Sequence, residues 1–377
     1  MNQVTQDPSR MIKQDAMHMG AALALARRGL GNTWPNPSVG CVIARNGRVV
    51  GRAVTAPGGR PHAEPQALAM AGEAARGATA YVTLEPCCHH GRTPPCADAL
   101  IAAGIARVVI GARDPDPRVD GQGVARLRAA RIEVEEGVLS KEANEVLGGF
   151  RQRVTTGRPL VTLKLASTLD GRIATHAGES RWITGPSARR EAHALRARHD
   201  AILVGVGTAL ADDPDLTCRL PGGRPTPVVR IVADSHLRTP LTARLIVTAR
   251  ETPTWVLLRA GADPDRRRAL ADVGVHLFEV GGAPSGVDLH AALRALGDEG
   301  ITRLLVEGGA QIAAALLRDG LVDRIAWFHA PAVMGGDGWP AVQPFGIDQL
   351  EAMPRFVRRH VMPLGGDMLS EFIRQDS

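Results

Sequence analysis

Short apolar runs separated by polar and glycine-containing turns recur along the first 155 residues. The length of these runs predicts strands at 39–43, 49–54, 80–84, 107–110 and 132–134. Longer Ala- and Leu-rich segments predict helices at 13–28, 64–75, 97–103 and 124–130. Gly29 ends the first helix, and Asn46-Gly47 between the first two runs predicts a β-hairpin. The order α-β-β-α-β-α-β-α-β predicts a three-layer α/β sandwich after a loose tail over residues 1–10.

A second α/β pattern begins after the turn-forming segment 155–159. Its predicted helices lie at 186–196, 264–271, 288–296 and 310–318, and Pro186 at the start of the first suits a helix N-terminus. Its predicted strands lie at 160–166, 201–206, 228–232, 254–258, 275–278, 303–306, 325–329 and 368–373. We therefore predict two α/β domains, residues 1–157 and 158–377.

The composition narrows the class of protein. The net charge of +6 comes almost wholly from arginine, because the only lysines are Lys13, Lys141 and Lys164. The arginines are scattered and aromatic residues make up 3% of the chain, which argues against a nucleic-acid groove. Five cysteines, three of them in one motif, indicate metal binding in a reducing compartment, with Cys41 and Cys218 as ordinary small residues. The polar N-terminus and the short apolar runs predict a cytoplasmic protein without a membrane segment.

One motif carries the chemistry of a metal site. His62-Ala63-Glu64 begins a predicted helix, Pro86-Cys87 follows a predicted strand, and Cys96 precedes the next helix. His62, Cys87 and Cys96 provide one imidazole and two thiolates, a three-ligand zinc site with its fourth position open to water. Zinc lowers the pKa of such a water towards neutrality, and Glu64 is close enough to shuttle protons. This order of residues is the signature of zinc-dependent nucleobase deaminases.

The spacing of the two thiols leaves a second interpretation open. Cys87 and Cys96 are further apart than in the usual Cys-x-x-Cys pattern. A structural zinc site would use a fourth protein ligand, and the loop between the thiols offers Cys88, His89 and His90. A catalytic site and a structural site are therefore both compatible with the motif, and the His-x-Glu element favours the catalytic one.

In the second half, an apolar strand leads through Glu307 into Gly308-Gly309 and then into a helix. Glycines let a phosphate approach the backbone at a helix N-terminus, although the same pattern is common in tight turns. The pattern is not G-x-G-x-x-G, so a Rossmann dinucleotide domain is not supported. Lys164 lies within an apolar strand, where a lysine has either a partner and a task or an exposed strand face.

Other candidates have two interpretations each. Trp182 suits stacking on a ring or filling the core. Arg196 and Arg219 suit a phosphate, or are ordinary surface arginines. Asp170-Gly171 is most simply a hairpin turn.

Taken together, these motifs resemble the bifunctional deaminase/reductase family of riboflavin biosynthesis. In the first half the resemblance is carried by Asn36-Pro37-Ser38-Val39-Gly40, His62-Ala63-Glu64 and the segment 84–96, whose long thiol spacing is that of the family. One departure is Cys88, where the family has serine. In the second half it is carried by the segments 164–174, 180–183, 200–205, 212–214 and 306–309.

The resemblance implies a cytidine-deaminase-like domain with one zinc ion (Zn2+) per chain, and a dihydrofolate-reductase-like domain that uses NADPH. The first would hydrolyse the 2-amino group of a diaminopyrimidine ribotide, and the second would reduce the ribosyl group. Glu64 would shuttle protons, and either Lys164 or Glu307 would donate the proton during reduction. The implied NADPH contacts are Ala166, Trp182, Thr208, Asp212, Ser235, Gly309, Ala310, Gln311, Ile312, Ala313, Ala314 and Ala315. The implied substrate contacts are Asn36, Ser180, Arg196, Leu216, Arg219 and Glu307.

The resemblance also implies a homo-oligomer that acts on a small phosphorylated pyrimidine, with neither a nucleic-acid nor a membrane partner. Ser235 and a nearby arginine such as Arg238 are candidates for the NADPH 2'-phosphate. Two other hypotheses are a nucleic-acid base deaminase with an accessory domain and a binding protein that has lost its activity. The scattered arginines argue against the first, and the intact ligand set argues against the second.

Overall fold

The structure is a computed structural model, and it describes residues 8–89, 94–283 and 286–375. The chain divides into two compact units, Met1–Gly157 and Arg158–Ser377. No helix within the described residues combines the length and the apolar character that a membrane crossing requires.

The first unit is built on a five-stranded sheet with the order β2-β1-β3-β4-β5. Its strands are β1 Gly40–Arg45, β2 Arg48–Val54, β3 Thr79–Leu84, β4 Arg107–Ala112 and β5 Glu133–Glu136. Its α-helices are α1 Pro8–Gly29, α2 Ala63–Ala71, α3 Cys96–Ala102, α4 Gln122–Ala129 and α5 Ser140–Thr156. Short 3-10 helices cover Pro57–Gly59 and Gly72–Ala75. The predicted hairpin joins β1 and β2, and both turn residues have positive φ, 53° at Asn46 and 75° at Gly47.

Three glycines show that helices cover both faces of this sheet. A Cβ at Gly40 would lie 1.9 Å from the carbonyl oxygen of Ala22, so α1 packs directly on β1. A Cβ at Gly51, which pairs with Ile43 and so faces the opposite side, would meet α2. Gly111 on β4 faces α5 on the same side as α1. The three-layer α/β/α architecture expected from the sequence is confirmed.

Two features of this unit differ from the sequence prediction. The helix α1 begins at Pro8, inside the segment expected to be a loose tail. The helix α5 was not predicted, because its polar composition hides an apolar stripe formed by Ala143, Val146 and Leu147. These side chains join the core of the sheet, so tertiary burial rather than average hydrophobicity stabilises the helix.

The second unit is built on a nine-stranded sheet with the order β11-β10-β9-β8-β14-β6-β15-β18-β17. These strands are β6 Leu160–Ser167, β8 Ala201–Gly205, β9 Val229–Ala233, β10 Thr254–Leu258, β11 His276–Glu279, β14 Arg303–Glu307, β15 Arg324–His329, β17 Phe356–Leu364 and β18 Asp367–Arg374. Two small ladders pair β7 Arg172–Ala174 with β16 Trp339–Pro340, and β12 Gly282–Ala283 with β13 Gly286–Val287. The helices are α6 Pro186–Ala197, α7 Val206–Asp212, α8 Arg244–Val247, α9 Pro264–Asp272, α10 Leu289–Asp298 and α11 Ala310–Arg318, with a 3-10 helix at Leu350–Ala352.

The strands from β11 to β15 in this order run parallel, so their carboxyl ends meet at one edge of the sheet. Strands β17 and β18 add an antiparallel border on one side. The helix α7 and the exposed strand β17 were not predicted from the sequence. The segment of α7 continues the apolar run of β8 without a break, which hides the boundary between them.

Candidate active sites

The N-termini of two helices bring the three predicted zinc ligands together. His62 precedes α2, Cys96 begins α3, and Cys87 lies on the loop that leaves β3. The ligand atoms of these three residues all lie within 4.8 Å of one another. The Nδ1 atom of His62 is 3.3 Å from the Sγ atom of Cys96 and 3.8 Å from that of Cys87. One imidazole and two thiols in this arrangement fit a tetrahedral zinc ion with one open position.

The electrostatics of the two thiols fit the same ion. A hydrogen bond from the Cys96 thiol, followed by one from His62, lowers the pKa of Cys87 to about 4. The resulting Cys87 thiolate raises the pKa of Cys96. Cys87 is thus the more acidic of the two thiols, and a divalent cation bound here would favour the thiolate form of both.

A four-ligand structural site is not formed by the described residues, since neither Cys88 nor His89 belongs to this group of ligand atoms. The Sγ atom of Cys88 instead points to the carbonyl oxygen of Arg118 at 3.9 Å. His90 lies outside the described residues.

Glu64 and Asn36 are the two further residues predicted to act at this group. Glu64 is in the first turn of α2 and is 4% exposed, and burial raises the pKa of its carboxyl. The side-chain amide of Asn36 donates to the carbonyl oxygen of Gly59 at 2.8 Å, three residues before His62. Gly59 leaves no room for a Cβ, which would lie 2.6 Å from the Asn36 Nδ2 atom. The structure thus places Glu64 beside Cys96 and holds Asn36 against the segment that leads into His62.

Glu85 is a buried acid that the sequence analysis did not single out. Its carboxylate is 2% exposed and accepts backbone N–H groups from Gly121 at 3.0 Å, Val124 at 3.1 Å and Asp114 at 3.4 Å. It therefore fastens the segment 114–124 to the loop that carries Cys87. Burial raises the pKa of Asp114, which follows β4, to about 6. In the sequence, Glu85 lies two residues before the predicted ligand Cys87, and this nearness was the signal that could have singled it out.

In the second unit, Lys164 and Glu307 are side by side on the neighbouring strands β6 and β14. Arg196 on α6 holds Glu307 by two hydrogen bonds, from Nε at 2.6 Å and from Nη2 at 2.8 Å. Its Nη1 atom donates to the carbonyl oxygen of Thr217 at 2.8 Å. Burial lowers the pKa of Lys164, against the attraction of Glu307. Although burial opposes ionisation of Glu307, Arg196 and Lys164 lower its pKa, so the acid is a carboxylate.

The Gly308-Gly309 turn follows at the end of β14. Both glycines have positive φ, 91° and 87°, and Gly309 precedes α11. A Cβ at Gly309 would lie 3.4 Å from the Thr208 hydroxyl, so this residue of α7 faces the turn. Without side chains here, the backbone is open to a phosphate. Of the predicted contacts on α11, Ala310 and Gln311 are accessible, whereas the side chains of Ile312, Ala313, Ala314 and Ala315 are buried.

The remaining predicted contacts lie along the same edge or in nearby loops. Ala166 is near the end of β6, and Ser235 follows β9. Leu216 is buried with a positive φ of 48°, in the segment that Arg196 holds through Thr217. Ser180 precedes α6 in sequence.

Three predicted residues are more exposed. Trp182 is 70% exposed, and its ring lies 4.5 Å from the Arg189 guanidinium. Asp212 accepts from Arg181 through its carbonyl oxygen at 3.2 Å, and Arg219 pairs with Asp215 at 3.2 Å.

Two residues in the second unit acquire roles that the sequence left undefined. Asp170 accepts a hydrogen bond from Thr168 and the N–H groups of Met334 and Gly335, so it holds a loop rather than only a turn. His193, one turn before Arg196 on α6, accepts the N–H of Arg219 at 3.3 Å. No sequence pattern pointed to His193.

Comparisons with known proteins agree with both sites. Residues 12–112 match the family model of the cytidine and deoxycytidylate deaminase zinc-binding region, and residues 159–370 match that of the RibD C-terminal domain. Together with the fold and the two sites, these matches define a two-domain enzyme, a zinc-binding deaminase followed by a reductase. The expected cofactors, zinc and NADPH, are those of these two domains.

Full-length relatives define the family. The chain is 43% identical over 366 residues to riboflavin biosynthesis protein RibD of Escherichia coli (strain K12), covering 94% of this chain and 98% of the relative. The structure of Acinetobacter baumannii RibD, form 1, matches with a TM-score of 0.87 and 39% identity, over 97% of this chain and 100% of that one. A deaminase/reductase structure from Thermotoga maritima matches with a TM-score of 0.84 and 35% identity over the same shares. The chain belongs to the RibD family, the bifunctional deaminase/reductases of riboflavin biosynthesis.

Proposed function

We propose that the first unit hydrolyses the 2-amino group of 2,5-diamino-6-(5-phosphoribosylamino)pyrimidin-4(3H)-one and releases ammonia. The second unit then uses NADPH to reduce the ribosyl group, which gives 5-amino-6-(5-phosphoribitylamino)uracil. The observation that carries the proposal is the His62, Cys87 and Cys96 group beside the buried Glu64, in a chain whose second unit matches a reductase. The Thermotoga maritima relative is described as a diaminohydroxyphosphoribosylaminopyrimidine deaminase and 5-amino-6-(5-phosphoribosylamino)uracil reductase.

In the deamination, His62, Cys87 and Cys96 hold the zinc, and Glu64 moves the protons. When bound, zinc supplies the Lewis acidity that makes water nucleophilic near neutral pH. Burial raises the pKa of Glu64, which brings this carboxylate closer to the range in which a group both accepts and returns a proton. Glu64 accepts the protons of the attacking water and returns one to the ring nitrogen and one to the amino group, so that the C–O bond forms as the C–N bond breaks and ammonia leaves. Asn36, held against Gly59, orients the pyrimidine.

In the reduction, NADPH supplies the hydride and Lys164 supplies the proton to the sugar oxygen. Burial lowers the pKa of the Lys164 ammonium, so it gives up a proton more readily than an exposed lysine. Glu307 is poorly suited to donate, because two hydrogen bonds from Arg196 hold it as a carboxylate. Glu307 instead orients Lys164 and the sugar hydroxyl groups.

Positions around this pair bind the two reactants. The substrate contacts are Ser180, Arg196, Leu216, Arg219 and Glu307. The Arg219 guanidinium binds the 5'-phosphate, because the Arg196 guanidinium is bonded to Glu307 and Thr217. The cofactor contacts are Ala166, Trp182, Thr208, Asp212, Ser235 and the segment from Gly309 to Ala315. Among the buried residues 312–315, the backbone contact is confined to the start of α11, because the Ala313 N–H already donates to the Gly309 carbonyl oxygen at 3.1 Å.

We also propose that the enzyme works in the cytoplasm as a homo-oligomer. Its curated relatives are biosynthetic proteins, and its proposed substrate is a small phosphorylated metabolite. Light scattering on the purified chain measures the assembly, and a mass equal to the single-chain mass of 39.9 kDa would contradict it.

A coupled assay on the purified chain tests the proposed function. The diaminopyrimidine ribotide is supplied with and without NADPH, and ammonia and NADPH absorbance are followed separately, before and after chelation. We expect ammonia without NADPH, then consumption of one NADPH per ammonia released. Chelation should stop ammonia release but leave reduction of the deaminated substrate. Ammonia release without any NADPH consumption would remove the proposed role of the second unit.

A further inference from the structure

The carboxyl ends of β9 and β10 place a serine and an arginine beside each other. The two strands are parallel neighbours in which Ala233 pairs with Leu257. Ser235 and Arg259 each follow two residues later, and the Arg259 N–H donates to the Ser235 carbonyl oxygen at 3.4 Å. Ser235 is half-buried and Arg259 is exposed.

The small ladder of β12 and β13 closes a third side. A Cβ at Gly286 would lie 3.0 Å from the Ser235 Oγ atom, and one at Gly282 would lie 3.7 Å from the Arg259 Cδ atom. Gly286 has a φ of 133°, which side chains rarely adopt. The ladder therefore approaches the Ser235 hydroxyl and the Arg259 side chain with glycine backbone.

The neighbouring acids are engaged elsewhere. Asp263 caps α9 by accepting from Asp265 and Arg266, and Asp288 caps α10 by accepting from Ala291. Glu279 pairs with Arg267 at 2.6 Å. In the described part of the chain, none of the ion pairs involves Arg259. Its guanidinium is thus available for an anion from solution.

We propose that Arg259, together with Ser235, binds the 2'-phosphate of NADPH and makes the reductase prefer NADPH over NADH. The inference rests on the proposed cofactor role of Ser235. A phosphate monoester carries close to two negative charges at neutral pH and three acceptor oxygens. A guanidinium matches two of these oxygens with its planar fork, and the serine hydroxyl donates to a third.

Arg238 is the arginine that the sequence suggested for this phosphate, but its surroundings differ from those of Arg259. It lies in a tight turn that Asp234 closes by accepting from the N–H and hydroxyl of Thr239. Arg266 braces the same turn through the carbonyl oxygens of Leu237 and Thr239. No hydrogen bond among the described residues connects Arg238 with Ser235, whereas Arg259 is bonded to it directly.

Equilibrium binding to the full chain tests the assignment. The probes are NADPH, NADH and 2',5'-ADP, an adenosine that carries the 2'-phosphate without nicotinamide. We expect Arg259→Ala to weaken NADPH and 2',5'-ADP about tenfold to hundredfold, the usual worth of a charge-assisted hydrogen bond, and to leave NADH unchanged. Arg268→Ala, an exposed arginine on α9 paired with Asp265, is the matched control and should bind all three probes like the parent chain.

Two outcomes would overturn the proposal. One is an Arg259→Ala chain that keeps the parent preference for NADPH, and the other is a preference lost in Arg238→Ala instead. A parent chain that binds neither dinucleotide would contradict the proposed reductase function itself, and is therefore distinguishable from failure of the Arg259 assignment. Circular dichroism of each variant checks that the fold is intact.

Discussion

At the scale of single residues, neighbours decide the state of each charged group. Glu64 and Glu307 are buried and Lys164 is partly buried, yet desolvation raises the pKa of Glu64, lowers that of Lys164 and is outweighed at Glu307. The difference at Glu307 comes from the bidentate contact with Arg196. The residue types show that these groups can transfer protons. The neighbouring groups decide which of them accepts a proton and which donates one.

Glu64→Gln should remove deamination and spare reduction. The amide keeps the shape of the side chain but neither accepts nor returns a proton, and such transfer is worth about 10²–10⁴ in rate. Ammonia release and NADPH consumption, each with its own substrate, are the two measurements. Glu73→Gln, a change at an exposed residue of the 3-10 helix after α2, is the control. Loss of both activities in a folded Glu64→Gln chain would contradict the separation of the two sites.

Glu85→Gln should destabilise the first unit. One carboxylate oxygen would become an amide N–H directed at a backbone N–H, so at least one of the three bonds to residues 114, 121 and 124 is lost. The expected cost is about 1–3 kcal/mol in the free energy of unfolding. Denaturant unfolding measures it against Glu133→Gln, whose exposed carboxylate pairs with Arg107 and should matter little. Equal stability of the two variants would contradict the role of Glu85.

At the scale of elements, close backbone approach fixes how α1 packs on the first sheet. Gly40→Ala should destabilise the first unit by about 1–3 kcal/mol or more, because its Cβ would overlap the Ala22 carbonyl. Gly20→Ala makes the same chemical change within α1, where a Cβ meets nothing within 4 Å. The free energy of unfolding of that variant should increase by about 0.5–1 kcal/mol, because alanine has a higher helix propensity than glycine. Thermal unfolding of the two variants should therefore shift in opposite directions.

The contact between α6 and β6 predicts a pH dependence for the second unit. His199 is buried, with Nδ1 bonded to the Leu195 carbonyl oxygen at 2.7 Å and Nε2 to the Thr162 hydroxyl at 2.9 Å. Burial lowers its pKa to about 3, so the folded chain binds fewer protons than the unfolded chain at acidic pH. The contribution of neutral His199 to the free energy of unfolding is therefore complete above about pH 6.5, the pKa of histidine in the unfolded chain. As the pH falls from there towards 3, this contribution decreases by about 1.4 kcal/mol per pH unit.

The test compares the parent chain with His199→Gln. Unfolding free energies of the second unit are measured at several values between pH 7 and pH 4. The variant should be less stable at pH 7. Its free energy of unfolding should also decrease less steeply as the pH falls, because about one proton fewer is bound on unfolding. Parallel pH profiles would contradict burial of a neutral His199.

At the scale of the whole molecule, each unit has its own core and its own site. We therefore expect two chains that each lack one activity to complement each other. A mixture of Glu64→Gln and Lys164→Ala chains should convert the first substrate to the reduced product after a lag, because the deaminated intermediate is a small molecule that diffuses. Product is measured by chromatography. No product from chains that each retain their single activity would indicate transfer restricted to one chain.

Local patterns in the sequence were sufficient for most elements and for the metal group. Asn46-Gly47 specified its hairpin, and the order His62, Glu64, Cys87 and Cys96 specified a deaminase type of zinc site, because turn chemistry and ligand type are local properties. The pattern failed at α5 and α7. There the apolar stripe was thin or ran on from a strand, and only burial against the sheet defined the helix.

The reductase site depended on tertiary structure. The insertion of β14 between β8 and β6 places Glu307 beside Lys164 and within reach of Arg196. The pairing of β9 with β10 likewise joins Ser235 to Arg259. The sequence by itself determined the two α/β patterns, the zinc ligands and the family resemblance, since these are written in short segments. Strand order decided which distant residues of the strands meet, because hydrogen-bonded neighbours in a parallel sheet need not be neighbours in the chain.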